Sequence, residues 1–195
     1  NPNNAHPTLK PYPYDPEIAE YLLDQAGYPR DANGVRFEMT LQAGEGRYLN
    51  DKNVVLAICQ YLDDVGVKTN CEIMDWSSVY IPLIIKKAAG PMYFIGSGGA
   101  TWSPLYDMAD LSKPDSGPNY TKWMNEEWFK GWKVINNTTN EYIIRREVDR
   151  MLEVFYNEGP WLHLYFQPDF YGVSNRVSWS PRRDEKVDLF KATLK

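Results

Sequence analysis

Two glycine-containing stretches carry the groups in this chain best suited to holding a small molecule. Gly44-Glu45-Gly46-Arg47-Tyr48 offers a guanidinium and a phenol, and Gly96-Ser97-Gly98-Gly99-Ala100-Thr101-Trp102 offers two hydroxyls, an indole and a run of backbone N–H groups. Glycine lets the backbone turn sharply or approach another molecule closely. A guanidinium and free amides suit a carboxylate or an amide-bearing ligand, while aromatic rings cover its apolar parts. The candidate ligand-binding residues are Arg47, Tyr48, Ser97, Gly98, Gly99, Thr101 and Trp102. Beside this stands the plainer reading of an ordinary turn, with Trp102 capping the core and Arg47 a solvated cation.

Groups for catalysis are scarce. His6 lies in an irregular leader, and His163 alternates with Leu162 and Leu164 as a structural histidine would. Gly96-Ser97-Gly98 lacks the spacing of a nucleophile elbow, and neither Gly-x-Gly stretch has the third glycine of a phosphate loop. Two His and two Cys supply no metal-ligand spacing. No catalytic residue, metal or cofactor is assigned, and a binding protein rather than an enzyme is expected. The alternative is a hydrolase whose dyad pairs His163 with a Ser or Cys in space.

The 195 residues carry a net charge of −5 with 14 Tyr and 7 Trp, and Lys and Arg are scattered, which argues against nucleic acid or an anionic membrane surface as partner. No apolar run approaches the ~20 residues that span a bilayer. The opening Asn1-Pro2-Asn3-Asn4-Ala5-His6-Pro7 reads as the interior of a longer polypeptide, with any export signal upstream. Cys59 and Cys71 fall on apolar faces that can meet; two buried free thiols are the expectation ahead of a disulfide.

The elements that position the two stretches follow from periodicity. Residues 1–14 should be extended. Asp15-Pro16-Glu17 opens a helix with Ile18, Leu22 and Ala26 on its apolar face, ended by Gly27 and Pro29. Phe37, Met39 and Leu41 alternate with polar residues as in a half-buried strand. Asp51 caps a second helix bearing Val55, Ile58 and Leu62, and Val67–Met74 is a second strand. A third helix runs from the Asp75-Trp76 corner to Lys87, and residues 92–96 form a third strand buried on both faces. Later come helices over 126–135 and 140–157, then strands at 161–166 and 170–173. Helix and strand alternating in this way predict a largely parallel α/β sheet flanked by helices, with late strands crossing back. In such a sheet the loops after the strands share one edge, so Gly44–Tyr48, Asp75-Trp76 and Ser97–Ser103 should converge where ligands of open α/β sheets bind.

The order of several motifs resembles the family of extracellular solute-binding proteins of ABC importers that carry peptides, nickel complexes and some oligosaccharides. The residues concerned are Tyr12-Pro13-Tyr14-Asp15-Pro16-Glu17 and Ala26-Gly27-Tyr28-Pro29, then Val65-Gly66-Val67-Lys68 with Met74-Asp75-Trp76, Asn119-Tyr120-Thr121, Arg145-Arg146, Gly159-Pro160-Trp161-Leu162 and Pro181-Arg182-Arg183-Asp184. The resemblance implies a periplasmic-binding-protein-like lobe over residues 15–195, preceded by a lead-in from an N-terminal lobe absent here. It implies capture of a small peptide or similar solute, delivery to a membrane permease, and a periplasmic or extracellular location. Family dipeptide binders touch ligand through an Arg and a Tyr before the second helix of this lobe; Arg47 and Tyr48 lie there, the arginine one place out of step. Where peptide binders carry a Trp and an ammonium-pairing Asp after the third strand, this chain has Ser97 and Ala100. That departure keeps oligosaccharides and other amphiphilic solutes open, or assigns the ammonium to Asp107 or to the other lobe.

Overall fold

The computed structural model describes residues 6–97, 108–110, 112–113, 116–182, 184 and 186–195. Helix α1, Pro16–Gln25, starts as its residue types dictate: the Asp15 carboxylate accepts the Ile18 amide at 3.0 Å and Pro16 occupies the first turn. Its expected apolar face is not buried, however, since Ile18 is 51% and Leu22 58% exposed. Periodicity tells which face would go inward, but not that a partner surface is there to receive it. The acidic side docks instead. The Arg36 side chain, 1% exposed, pairs with Asp24 and with Glu20 at 3.1 Å, and donates to the carbonyls of Tyr28 (2.7 Å) and Val65 (2.8 Å). Arg30 joins Glu20 at 3.0 Å and the Asp64 carbonyl at 2.8 Å. The two arginines thus occupy the C-terminal end of the next helix, where the helix dipole favours cations.

Strand β1 (Phe37–Glu45), helix α2 (Asp51–Asp64), strand β2 (Val67–Asp75) and strand β3 (Met92–Phe94) build a parallel sheet ordered β2-β1-β3. Phe37 pairs with Val67 and Glu45 with Asp75, while Leu41 pairs with Met92 and Ala43 with Phe94. One face is apolar: Leu41 and Ala43 pack with Val55 and Cys59 of α2, ringed by Ile58, Cys71, Ile73, Met92 and Phe94. The other is polar, with Lys68 meeting Glu38 at 2.5 Å and Gln42 donating to Glu72 at 2.8 Å. At the outer edge the Thr69 N–H, turned from β1, donates to the Asp63 carboxylate at 2.7 Å.

Cys59 and Cys71 are joined by a disulfide, with Cα atoms 6.6 Å apart, where two free thiols were expected. The register sets Cys71 opposite Leu41, facing α2, so the facing surfaces already hold the two side chains together. The third strand is shorter than expected and half-buried rather than enclosed on both faces. At its last residue the backbone meets a side chain: the Tyr80 hydroxyl donates to the Phe94 carbonyl at 2.6 Å. The helix expected over 76–87 is wound in two parts. Asp75 accepts the Ser78 amide, Trp76–Tyr80 forms a π-helical turn closed by the Ile81 N–H on the Trp76 carbonyl, and α3 spans Ile81–Ile85. Pro82 has no N–H for the Ser78 carbonyl and its ring would press on that group, so the wider turn relieves both.

Helices α4 (Glu126–Asn136) and α5 (Glu141–Glu158) are capped by the side chains of Asn125 and Asn140 and enclose a second core of Ala109, Trp128, Met151 and Phe155. The lead-in touches α5 and α2: His6 meets Glu153 at 3.3 Å and Tyr12 stacks on Tyr156, while Tyr14 meets Tyr61 of α2 edge-on. The strands expected at 161–166 and 170–173 do not form. A strand needs a neighbouring backbone to pair with, and none lies alongside among the described residues; Phe166 is 98% exposed. The late pairing is instead a short antiparallel ribbon of β4 (Val177–Ser178) and β5 (Thr193–Leu194). Among the described residues no helix is long and apolar enough to cross a membrane.

Candidate functional site

In a sheet ordered β2-β1-β3, the chain leaves β1 toward β2 while β3 lies on the opposite side. The loops after β1 and β3 therefore part at the carboxyl ends of these two strands, where α/β sheets hold their ligands. Tyr48 spans that gap. Its hydroxyl accepts the Gly96 N–H at 2.9 Å and donates to the Gly96 carbonyl at 3.3 Å. Its ring stands edge-on to Trp76, at 5.2 Å between centroids, and to Phe94 at 6.0 Å. Trp76 in turn packs on Tyr80 at 5.6 Å. Two of the three loops expected to converge thus meet in Tyr48 and Trp76, and Gly96, the residue ahead of the third, joins them; the rest of that third loop, from residue 98 on, lies outside the described residues.

Two glycines make the aromatic packing possible. A Cβ on Gly44 would stand 2.6 Å from Trp76 and 2.8 Å from Tyr80, and one on Gly96 would stand 2.8 Å from the Tyr48 ring. Tyr80 is fully buried beneath; burial, with Tyr93 and Tyr48 nearby, pushes its phenol well above the ordinary value, so it remains a hydrogen-bond donor. Burial likewise raises Tyr48, against the opposing pull of its bond to Gly96.

Arg47 lies exposed on the rim, its guanidinium 5.5 Å from the centre of the Tyr48 ring. Among the described residues its charge has this aromatic face and no carboxylate beside it, which leaves the donors of its planar fork facing solvent. Ser97 is exposed next to Gly96. The structure therefore brings Arg47, Tyr48 and Ser97 to one edge. Gly98, Gly99, Thr101 and Trp102 lie outside the described residues, as do Ala100 and Asp107. His163 is exposed, its ring 5.9 Å from that of Phe155 at the margin of the second core, and both cysteines are taken up in the disulfide. An open concavity of about 500 Å³ lies over Glu38, Thr40, Lys68 and Asn70, on the polar sheet face. It is some six residues, about 20 Å, back along β1 from the loop edge.

Asp51 differs from its sequence reading. The residue before α2 is Asn50, in the left-handed region with no side-chain cap, and the buried Asp51 carboxylate turns back. It accepts the amides of Arg47 and Tyr48 at 3.0 Å each and that of Lys52 at 2.8 Å. An Asp just ahead of an apolar-periodic run reads equally as a cap, so only the spacing Arg47-Tyr48-x-x-Asp51 hinted at this second use. Burial, the largest influence on this carboxyl, raises it, but the amides of Tyr48, Arg47, Lys52 and Gly46 together outweigh burial and hold it below the usual value. A group depressed on folding contributes stability that is complete above its unfolded value of about 3.9 and is lost as pH falls through the folded one. The 46–52 loop is accordingly expected to stay fixed at neutral pH and to loosen in acid below that range, read by amide NMR of Arg47 and Tyr48 shifting together.

Comparison with known proteins agrees with this architecture. The profile of bacterial extracellular solute-binding proteins, family 5 Middle, matches residues 1–119. Di/tripeptide-binding protein 2 of Pseudomonas aeruginosa is 24% identical over 165 residues, covering 80% of this chain and 29% of the relative. Heme-binding protein A of Haemophilus influenzae is 26% identical over 179 residues, covering 87% of this chain and 30% of the relative. The solved structure of HbpA2 from Haemophilus parasuis superposes with a TM-score of 0.77 at 18% identity, over 98% of this chain and 38% of that one. The chain therefore spans about 30% of the length of the curated relatives it matches.

Proposed function

This chain belongs to the bacterial extracellular solute-binding proteins of family 5, and from that premise we propose that it is one lobe of the substrate-binding component of an ABC importer. Residues 15–195 would form a single ligand-binding lobe and residues 1–14 its lead-in. The family is one of binding proteins, so no reaction is assigned. The lobe captures a small peptide or similar polar solute at the strand-end edge, in the periplasm or outside the cell, closes with a second lobe, and hands the solute to a membrane permease. The exposed apolar side chains of 162–173, among them Leu162, Phe166 and Phe170, fit burial against that second lobe.

The observation that carries this reading is the meeting of Arg47, Tyr48 and Trp76 at the switch point between β1 and β3. Arg47 has the bidentate geometry for a peptide carboxylate, and the rings beside it offer an apolar wall. A second reading, a larger amphiphilic acid such as haem, draws support from the Haemophilus influenzae relative and from the aromatic surface.

The test is thermal stabilisation of the full-length protein by dipeptides, tripeptides, longer peptides, oligosaccharides and haem. A true ligand at a hundredfold its dissociation constant should add about 2.7 kcal/mol. Stabilisation by none of these classes removes the transport reading. For a peptide that binds, Arg47→Ala is expected to weaken affinity about tenfold or more, as loss of a charge-assisted pair does. The same peptide amidated at its C-terminus should bind wild type and variant alike, as measured by calorimetry; an equal loss for both peptides would take Arg47 away from the carboxylate.

A further inference from the structure

We propose that Asp51 is a positioning residue for the backbone at Gly96, just after β3, acting on it through Tyr48. The two contacts form a chain. The Asp51 carboxylate, buried at the start of α2, gathers the amides of Arg47 and Tyr48 and so fixes the backbone from which the Tyr48 ring departs. That ring is guided between Trp76 and Phe94, and its hydroxyl reaches both backbone groups of Gly96, 48 residues further along the chain. Gly96 has no Cβ to hold the ring away.

The chemistry of the phenol sharpens the inference. A tyrosine hydroxyl has one hydrogen, and Gly96 takes it. Tyr48 donates nothing to a ligand while this contact holds; it presents a ring face, and its polar end braces the backbone at Gly96. Asp51 reaches Gly96 only through Tyr48, whose backbone it fixes. The consequence for binding rests on the reading of this edge as the ligand wall, whereas the coupling itself is read without any ligand.

The experiment is amide hydrogen exchange by NMR on the whole chain, with Tyr48→Phe, Asp51→Asn and Asp51→Ala. Tyr48→Phe should speed exchange at Gly96 about tenfold, the loss of one hydrogen bond, and leave the amides at 47 and 48 protected. Asp51→Ala should speed exchange at 47, 48 and Gly96 together, relative to Leu41 and Ala43 in the sheet. The double variant should be no faster at Gly96 than Tyr48→Phe alone, because the two substitutions break one chain of contacts. Asp51→Asn keeps one acceptor oxygen and should restore protection at 47, 48 and Gly96 in parallel. Exposure of 47 and 48 with Gly96 still protected would overturn the proposal, as would uniform acceleration that includes Leu41 and Ala43. If Asp51→Ala does not fold, Asp51→Asn decides: Gly96 must follow 47 and 48, or the coupling is absent. Coupling in the absence of any stabilising ligand would leave the brace standing and remove the transport reading.

Discussion

Replacing Cys59 and Cys71 together by serine is expected to lower the free energy of unfolding by about 3 kcal/mol, the chain-entropy value for a loop of this length. The bridge closes a sequence separation of 12 residues and ties α2 to β2 directly beneath the apolar sheet face. Cys59 is buried against Leu41, Ala43 and Val55, so a serine hydroxyl there adds the cost of an unpaired polar group. Urea denaturation with and without a reductant reads the effect: the reduced wild type should lose about 3 kcal/mol, and the double variant should lie at or below it by the cost of the serine hydroxyls. Equal stability of oxidised and reduced protein would show that the bridge contributes nothing. Such a bond persists in oxidising surroundings, in keeping with a family of extracellular proteins.

Trp128→Ala is expected to cost about 3–5 kcal/mol, the range for a large aromatic removed from a filled core. Trp128 is 1% exposed, stacks parallel to Trp132 at 6.1 Å, meets Trp123 edge-on at the same distance, and shares its cluster with Ala109, Met151 and Phe155. Its indole nitrogen is buried with no hydrogen-bond partner among the described residues. Trp128→Phe keeps most of the ring contact and removes that orphaned donor, so its cost should be a fraction of the alanine variant's. Guanidinium denaturation followed by far-UV dichroism compares the two. An alanine variant within 1 kcal/mol of wild type would mean, on the scale of core truncations, that α4 and α5 are not held by this cluster.

The sequence was most readable where one periodicity served one purpose. Alternation in Phe37–Leu41 and the 3.6-residue spacing of Val55, Ile58 and Leu62 led to a parallel sheet, and from it to the meeting of Tyr48, Trp76 and Gly96 at one edge. Where a residue type serves two purposes, sequence could not choose. Asp51 reads as a helix cap, and folding spends it on the preceding loop. Ile18 and Leu22 read as an inward face, but the arginines of Arg30 and Arg36 anchor α1 by its acids. Leu162, Leu164 and Phe166 alternate like a strand, yet alternation does not supply the neighbour whose backbone completes the ladder. Four of the seven candidate residues, Gly98, Gly99, Thr101 and Trp102, lie outside the described residues, so the likeness to a ligand loop there stands on residue types alone.

The bond from Thr69 to Asp63 bears on how such a protein behaves when crowded. β2 ends the sheet among the described residues, and a nine-residue margin with open backbone groups invites a second molecule to add itself as a further strand. Here an acceptor from the same chain already fills one of the outward donors, and the charged Lys68 stands next to it. A newcomer pairing at Thr69 would first have to displace the Asp63 carboxylate, which raises the cost of adding a strand at that point of the margin.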